Sequence, residues 1–259
     1  MLTLFSPRFS LSRAVLLLTA TCITCRPTPN NIMSLYSTIR SQGSCKHVLA
    51  GGFYATDDGT NSFSYCADHL DTSNVIFIQG RHGELADMDV DCDGIQGGPA
   101  DDGRCSYGRS PDLQNTTAFQ DVVESYNVGI KDLDPYVIPY VVFGNTGTTN
   151  ATKAKAAGGW PSFDPTSCGI EPLSIVAVVC GDQLVYGIWG DTNGDDGDKP
   201  MVGEASLALA TACEGPSMTG NNGYDGTNIL YVAFRGHDAV PGPKGRIGMP
   251  PTLTTSRPA

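Results

Sequence analysis

Two apolar runs meet at a Gly-Asp pair within residues 173–190. The runs LSIVAVVC and QLVYGIWG flank Gly181-Asp182, and a two-residue pair of this kind is typical of the turn of a β-hairpin. The chain also carries 31 Gly and 17 Pro in 259 residues, which favours many turns and short strands over long helices. The sequence therefore predicts a fold built mainly from β-strands.

The other periodic segments are short, and no repeat or linker separates them. TAFQDVVESYN (residues 117–127) has the apolar spacing of one helix face, and GEASLALATAC (residues 203–213) also predicts a helix. Pro139 interrupts YVIPYVVFG, so this strand is expected at a sheet edge or a bend. Besides this strand, at residues 136–144, two further segments are predicted as strands: residues 75–80 and 228–236. We expect a single mainly β domain with a few short helices, closed into a barrel.

Two carboxyl groups stand at the ends of neighbouring elements in residues 185–213. Asp191 ends the second strand of the hairpin, and Glu204 begins the predicted helix, with the acidic, Gly-rich loop DTNGDDGD between them. Glycoside hydrolysis needs two carboxyls held on rigid elements across one cleft. From spacing alone, a helix cap or a surface acid remains the alternative for each residue.

The run MDVDCDG places Asp89, Asp91 and Asp93 at alternate positions before Gly94. This matches the start of an EF-hand loop, but Ala100 stands where the closing Glu belongs, so a true EF-hand is not expected. A calcium site of another kind stays open as an alternative. The other use of such a row of carboxylates is to bind the amino groups of a cationic sugar polymer.

Other chemistries find little support in the sequence. The four His residues are scattered without a zinc-protease pattern, and neither a nucleophile motif nor a nucleotide-binding fingerprint is present. Trp189 and Tyr224 are candidates for stacking on sugar faces, although core packing is the more frequent use of such side chains.

The N-terminus reads as a targeting segment. Residues 1–26 contain basic residues followed by AVLLLTATCIT, a run too short to span a bilayer, so a cleaved signal peptide is expected. Its loss would remove three Arg and change the net charge from −11 to −14. An acidic secreted protein of this kind is not expected to bind nucleic acid or membranes.

The nine Cys are scattered, which favours disulfides over a zinc site. Cys92 and Cys105 bracket one acidic loop, and we predict a disulfide between them. The remaining connectivity stays open.

Several long segments resemble the fungal chitosanases of glycoside hydrolase family 75. They include KHVLAGGFYATDDG, MDVDCDGIQGGPADDGRC, GIKDLDPYVIPYVVFGN, GIEPLSIVAVVCGDQLVYGIWGDTNGDDG, VGEASLALATAC and MTGNNGYDGTNILYVAF. Together the matching segments cover about residues 45–243 in order. A resemblance in several long motifs is far more specific than one in a single short pattern.

The resemblance implies an enzyme that cleaves the β-1,4 bonds inside chitosan with inversion, and it assigns catalysis to Asp191 in GDTNG and Glu204 in GEAS. From the acidic run and the aromatic candidates described above, we predict Asp89, Asp91, Asp93, Trp189 and Tyr224 as substrate contacts. We expect the protein to be secreted and monomeric. Glu204 is provisionally the acid and Asp191 the base, although a helix start would favour an ionised Glu204. The resemblance implies a barrel of the double-psi type and no cofactor or metal ion.

The C-terminus departs from the family pattern. The chain ends in PKGRIGMPPTLTTSRPA, where the family continues into a helix-rich stretch. We therefore expect a catalytic domain over residues 27–243 and a disordered tail over residues 244–259. The alternatives are a non-catalytic protein that binds chitosan or cell walls, a calcium-dependent structural domain, and a hydrolase of another β-1,4-glucan.

Overall fold

The computed structural model describes residues 26–105, 113–146, 160–194 and 199–243. Over these ranges the fold is mainly β: ten strands form one sheet, and four short helices accompany it. The strands are β1 (Arg26–Pro27), β2 (Val48–Phe53), β3 (Phe63–Cys66), β4 (Val75–Gln79), β5 (Ala86–Asp91), β6 (Tyr140–Asn145), β7 (Ile175–Cys180), β8 (Gln183–Asn193), β9 (Glu204–Ser206) and β10 (Tyr224–Phe234). The helices are α1 (Asn30–Ser41), α2 (Leu70–Ser73), α3 (Gln120–Ser125) and α4 (Leu207–Glu214).

Six of the strands pair in a closed cycle, in which the last strand pairs again with the first. Strands follow one another in the order β8-β6-β9-β5-β10, and β7 pairs with both β10 and β8. Strands β4, β3 and β2 extend the sheet from β10, and β1 pairs with β8. Most pairs are antiparallel, whereas β5–β9 and β6–β8 are parallel.

Alternate residues along the strands face one shared apolar interior, because successive side chains of a strand point to opposite faces. This inner cluster takes Met88 from β5, Val141 from β6, Ala205 from β9 and Tyr231 from β10. A smaller cluster beneath α1 packs the other face of β4, β7 and β10. A third cluster lies on the outer face of β6 and β8, where Tyr140 and Ile188 pack with Val123 of α3.

The predicted hairpin is confirmed, since Cys180 of β7 pairs with Gln183 of β8 across the Gly181-Asp182 turn. The predicted strands over residues 75–80 and 228–236 are also confirmed as β4 and β10. The helix predicted over residues 117–127 is present only as α3, Gln120–Ser125.

Two predictions about element boundaries are wrong. Residues 204–206 form strand β9, and helix α4 begins only at Leu207, where the Ser206 hydroxyl accepts a hydrogen bond from Leu209 N. Pro139 does not interrupt a strand, because β6 begins one residue later, at Tyr140. Of the two alternatives expected at Pro139, the edge is wrong, since β6 pairs with β8 on one side and β9 on the other, whereas the chain does bend at Ile138, directly before the proline.

Three disulfides connect the described residues. The predicted Cys92–Cys105 pair is confirmed, and Cys45–Cys66 and Cys180–Cys213 accompany it. Cys168 is the free cysteine of the described ranges.

The signal peptide predicted for residues 1–26 lies outside the described residues except for Arg26, which pairs with Leu184. The predicted tail, residues 244–259, lies wholly outside them. None of the helices within the described ranges has the length and apolar character needed to cross a membrane.

Candidate active site

Strand β5 presents a row of carboxyl groups on its outer face. Asp87, Asp89 and Asp91 alternate with Ala86 and Met88, which are buried in the inner apolar cluster. Because alternate residues of a strand share a face, the three carboxyls point away from that interior.

The same outer face continues across the neighbouring strands. Asp89 pairs with Glu204 of β9, Glu204 pairs with Val142 of β6, and Val142 pairs with Asp191 of β8. Asp191 and Glu204 therefore flank Val142, with two strand spacings between them, which corresponds to about 10 Å between their Cα atoms. Both residues of the predicted catalytic pair lie on one face.

A bulge on β8 places Asp191 on this face. Trp189 pairs with Val141, but the next partner of Asp191 is Val142, so Gly190 is an extra residue on β8. A bulge re-aims the side chains on either side of it. A Cβ at position 190 would collide with the Tyr140 side chain, so glycine is required at this close approach.

Asp191 is buried, with 6% of its surface exposed. Its Oδ1 accepts hydrogen bonds from Ala118 N at 3.0 Å and Thr192 N at 2.7 Å, whereas Oδ2 is buried and has no hydrogen-bond partner among the described residues. Burial raises the pKa of Asp191 well above its ordinary value, and the negative charge of Asp91 adds to the rise. The Asp191 carboxyl therefore tends to hold a proton.

The loop that binds Asp191 is itself held by a buried carboxylate. Asp132 accepts hydrogen bonds from Thr117 N and Thr117 Oγ1, at 2.9 and 2.6 Å, and from Leu133 N at 2.8 Å. Thr117 immediately precedes Ala118, so these bonds fix the amide that reaches Asp191.

Asp91 and Asp93 lie beside Asp191, each with a carboxyl oxygen within 4.8 Å of the others. Burial raises the pKa of Asp91 to about 6, against the opposing effect of hydrogen bonds from Asp93 N and the Tyr140 hydroxyl. Three oxygens at this spacing have the chemistry of a hard-cation site. A cation bound there would compete with protons, because the raised pKa values of Asp91 and Asp191 mean that both carboxyls tend to stay protonated. Asp89, the first residue of the predicted acidic run, is not part of this group.

Glu204 begins strand β9 and is half-buried. Because it lies on a strand three residues before helix α4, the predicted effect of a helix N-terminus on its charge does not apply. Its Oε1 instead accepts a hydrogen bond from Asn193 Nδ2 at 3.0 Å. Gly203 precedes it with φ 105°, and a Cβ there would collide with the Asp87 carboxyl.

A second acidic region surrounds Asp89, the residue of β5 that pairs with Glu204. Burial raises the pKa of Asp89 to about 6, with further contributions from the charges of Asp57 and Asp225. Asp87 is 1% exposed, and burial, together with the charge of Asp89, raises its pKa to about 9. The raised pKa favours a neutral Asp87 carboxylic acid at neutral pH.

The two aromatic candidates have different surroundings. Trp189 is 2% exposed and packs edge-on against Phe119, so it belongs to the core and has no face open to a sugar. Tyr224 is half-buried at the start of β10, where it pairs with Met88 and packs against the inner apolar cluster. Of these two residues, only Tyr224 keeps part of its surface exposed to solvent.

Sequence reasoning missed Asp87 and Asn193. The alternation of ADMDVD in residues 86–91 carries a signal for Asp87, since it continues the spacing of Asp89 and Asp91. The sequence gives no comparable signal for Asn193, because its contact with Glu204 depends on how β8 and β9 lie on either side of β6.

Comparisons with known proteins point in one direction. The family model described as fungal chitosanase of glycosyl hydrolase group 75 matches residues 88–248. An endo-chitosanase of Aspergillus fumigatus is 41% identical over 216 residues, which are 83% of this chain and 79% of the relative. An endo-chitosanase of Aspergillus oryzae is 41% identical over 232 residues, 86% and 83% of the two chains. An endo-chitosanase B of the same species is 39% identical over 218 residues, 82% and 79% of the two chains.

Proposed function

The chain belongs to the fungal chitosanases of glycosyl hydrolase group 75, and from that premise we propose that it is a secreted endo-chitosanase. It hydrolyses the β-1,4 bonds of chitosan with inversion, using Asp191 and Glu204 as its acid-base pair. The observation that carries this proposal is that both carboxyls flank Val142 on one face of the sheet.

The spacing of the pair suits an inverting reaction. An inverting enzyme needs about 6.5–9.5 Å between its two carboxyls to leave room for a water molecule. Two strand spacings separate the Cα atoms of Asp191 and Glu204 by about 10 Å. The proposal therefore requires the two side chains to lean toward each other, so that their carboxyls come within the inverting range.

The surroundings of each carboxyl favour Asp191 as the acid and Glu204 as the base, the reverse of the provisional sequence assignment. Burial and the neighbouring Asp91 raise the pKa of Asp191, so it can carry the proton that passes to the leaving glycosidic oxygen. Glu204 accepts an amide hydrogen bond, which favours its ionised form. As carboxylate it takes a proton from the water that attacks the anomeric carbon on the opposite face of the sugar.

The substrate class follows from the charge of the cleft. Asp91 and Asp93 provide oxygen acceptors beside Asp191, Asp89 pairs with Glu204, and Tyr224 offers a partly exposed ring at the start of β10. Glucosamine units carry ammonium groups, and charge-assisted hydrogen bonds to carboxylates are the strong ones. We assign these four residues to substrate binding and leave Trp189 out because it is buried.

The fold and localisation parts of the proposal rest on pairing and on disulfides. Strands β8, β6, β9, β5, β10 and β7 form a ring of pairings around one apolar interior, which we interpret as a six-stranded barrel of the double-psi type. Three disulfides are typical of proteins exported to an oxidising compartment. They support the predicted signal peptide and the catalytic domain over residues 27–243.

The test is reducing-end release from chitosan and from a neutral β-1,4-glucan at several salt concentrations. We expect hydrolysis of chitosan that weakens as salt rises, because salt screens attraction between the acidic cleft and the cationic polymer. The anomeric form of the first products, followed by proton NMR, must be inverted. Chitosan binding without any reducing-end release would instead favour the non-catalytic binding protein.

A further inference from the structure

A hydrogen-bonded network connects Glu204 to the core. Asn193 Nδ2 donates to Glu204 Oε1 at 3.0 Å and to Met201 O at 3.2 Å. The backbone carbonyl of Met201 can only accept, so the side-chain atom of Asn193 that faces it must be the amide nitrogen. The two N–H groups of that amide are thereby matched to two acceptors.

The network is anchored in buried structure. Met201 O also accepts a hydrogen bond from Asn145 Nδ2 at 2.8 Å, and Asn145 is fully buried. Asn145 Oδ1 in turn accepts from the Tyr65 hydroxyl at 2.8 Å. The Tyr65 ring packs against three aromatic rings of the core, those of Phe53, Phe143 and Phe163. The donor that reaches Glu204 is therefore held by groups with little freedom to move.

Strand geometry places Asn193 correctly for this contact. Asp191 and Asn193 are two residues apart on β8, so their side chains share a face. Asn193 pairs with Asn145 across β6–β8, after a bulge on β6 that includes Gly144 at φ 94°. One strand thus presents both Asp191 and a donor for the opposite carboxyl.

We infer that Asn193 is a positioning residue that fixes Glu204 and keeps it ionised as the base of the hydrolysis; this inference rests on the proposed function. A positioned N–H donor favours the carboxylate over the protonated acid. It also limits rotation of the Glu204 carboxyl, so that the oxygen facing the attacking water keeps its direction. Tyr65 and Asn145 act further back, by holding the carbonyl that Asn193 also binds.

The test uses Asn193→Ala and Asn193→Asp, with Asn30→Ala as a matched control on exposed helix α1. Loss of a hydrogen bond to a charged group predicts a fall in kcat of about tenfold to a hundredfold in Asn193→Ala, with little change in KM. The acidic limb of the pH profile of kcat/KM should move to higher pH, because the base loses a donor that favours its ionised form. Asn193→Asp keeps the shape but replaces the donor with a like charge, so its acidic limb should move further. Asn30→Ala should match the parent.

A third variant separates positioning from direct contact. Tyr65→Phe removes only the distant hydroxyl, and we expect a smaller loss of kcat with the same direction of pH shift. The inference is overturned if Asn193→Asp, folded by circular dichroism, keeps the kcat and the pH profile of the parent. An unchanged pH profile in a folded Asn193→Ala with reduced kcat would also overturn it, because a purely structural defect lowers kcat without changing the ionisation of the base. An inactive parent enzyme would remove the proposed function itself, whereas an active parent with unaffected variants would remove this inference alone.

Discussion

Asp87 offers a quantitative test of the electrostatics of the cleft. Its carboxyl is buried beside Gly203, and its pKa is raised from 3.8 to about 9, first by burial and then by the charges of Asp89 and, to a smaller extent, Glu204. In the unfolded chain the same group loses its proton at about pH 4. At any pH between these two pKa values, Asp87 therefore takes up one proton when the chain folds.

This proton uptake makes the stability depend on pH with a known sign. Above about pH 4 the unfolded state binds fewer protons than the folded state at Asp87, so the free energy of unfolding falls as pH rises. The slope is about 1.4 kcal/mol per pH unit, and it continues until the folded carboxyl ionises near pH 9. Asp87→Asn replaces the acid with a neutral group of the same shape and removes this contribution. The variant should gain about 4 kcal/mol relative to the parent between pH 5 and pH 8.

Urea unfolding at pH 5, 6, 7 and 8 measures this difference for Asp87→Asn and for Asp71→Asn, a control at an exposed position of α2. The diagnostic quantity is the slope of the stability difference against pH, because a constant offset reports only the fit of the new side chain. The control should show no such slope. A difference between Asp87→Asn and the parent that stays flat from pH 5 to pH 8 would refute the account of a buried, protonated Asp87.

Three further outcomes follow from the structure. Gly203→Ala should destabilise the fold and abolish hydrolysis, since φ 105° and the Asp87 carboxyl leave no room for a Cβ; a stable, active variant in a melting and activity assay would contradict this. Replacing both Cys92 and Cys105 with Ala should lower the free energy of unfolding by about 3 kcal/mol, given the 13-residue separation of the pair; urea midpoints at constant m-value test it, and an unchanged midpoint would count against it. Asp191→Asn should be inactive yet more stable than the parent at pH 7, because burial raises the pKa of Asp191 and the neutral amide needs no proton uptake; a loss of stability on denaturant titration would argue against the raised pKa.

Periodicity in the sequence was sufficient for the elements that are regular over several residues. The β7–β8 hairpin was predictable because two apolar runs flank a turn-forming Gly-Asp pair. Strand β4 was predictable because its sequence, VIFIQ, is a short apolar run, as expected for a strand whose five residues are all buried. The Cys92–Cys105 disulfide was predictable because the two residues bracket one short loop.

The errors arise where one residue changes the direction of the chain. Simple alternation puts Trp189 and Asp191 on the same face, but the Gly190 bulge sends Trp189 into the core and Asp191 into the cleft. Glu204 was predicted at a helix start because the apolar pattern after it is helical, yet pairing with β5 and β6 holds residues 204–206 as a strand. Neither effect is local in sequence: the bulge depends on close approach to Tyr140, and strand β9 exists only because two other strands lie beside it.

The central claim is that Asp191 and Glu204 form the acid-base pair of a chitosan hydrolase. The most direct measurement is reducing-end release from chitosan by the parent, Asp191→Asn and Glu204→Gln, with Asp71→Asn as the exposed control. The account predicts an active parent and control, and loss of at least about a thousandfold in kcat in each site variant while both stay folded and bind chitosan. A folded Asp191→Asn or Glu204→Gln that turns over chitosan at the parental rate would contradict it.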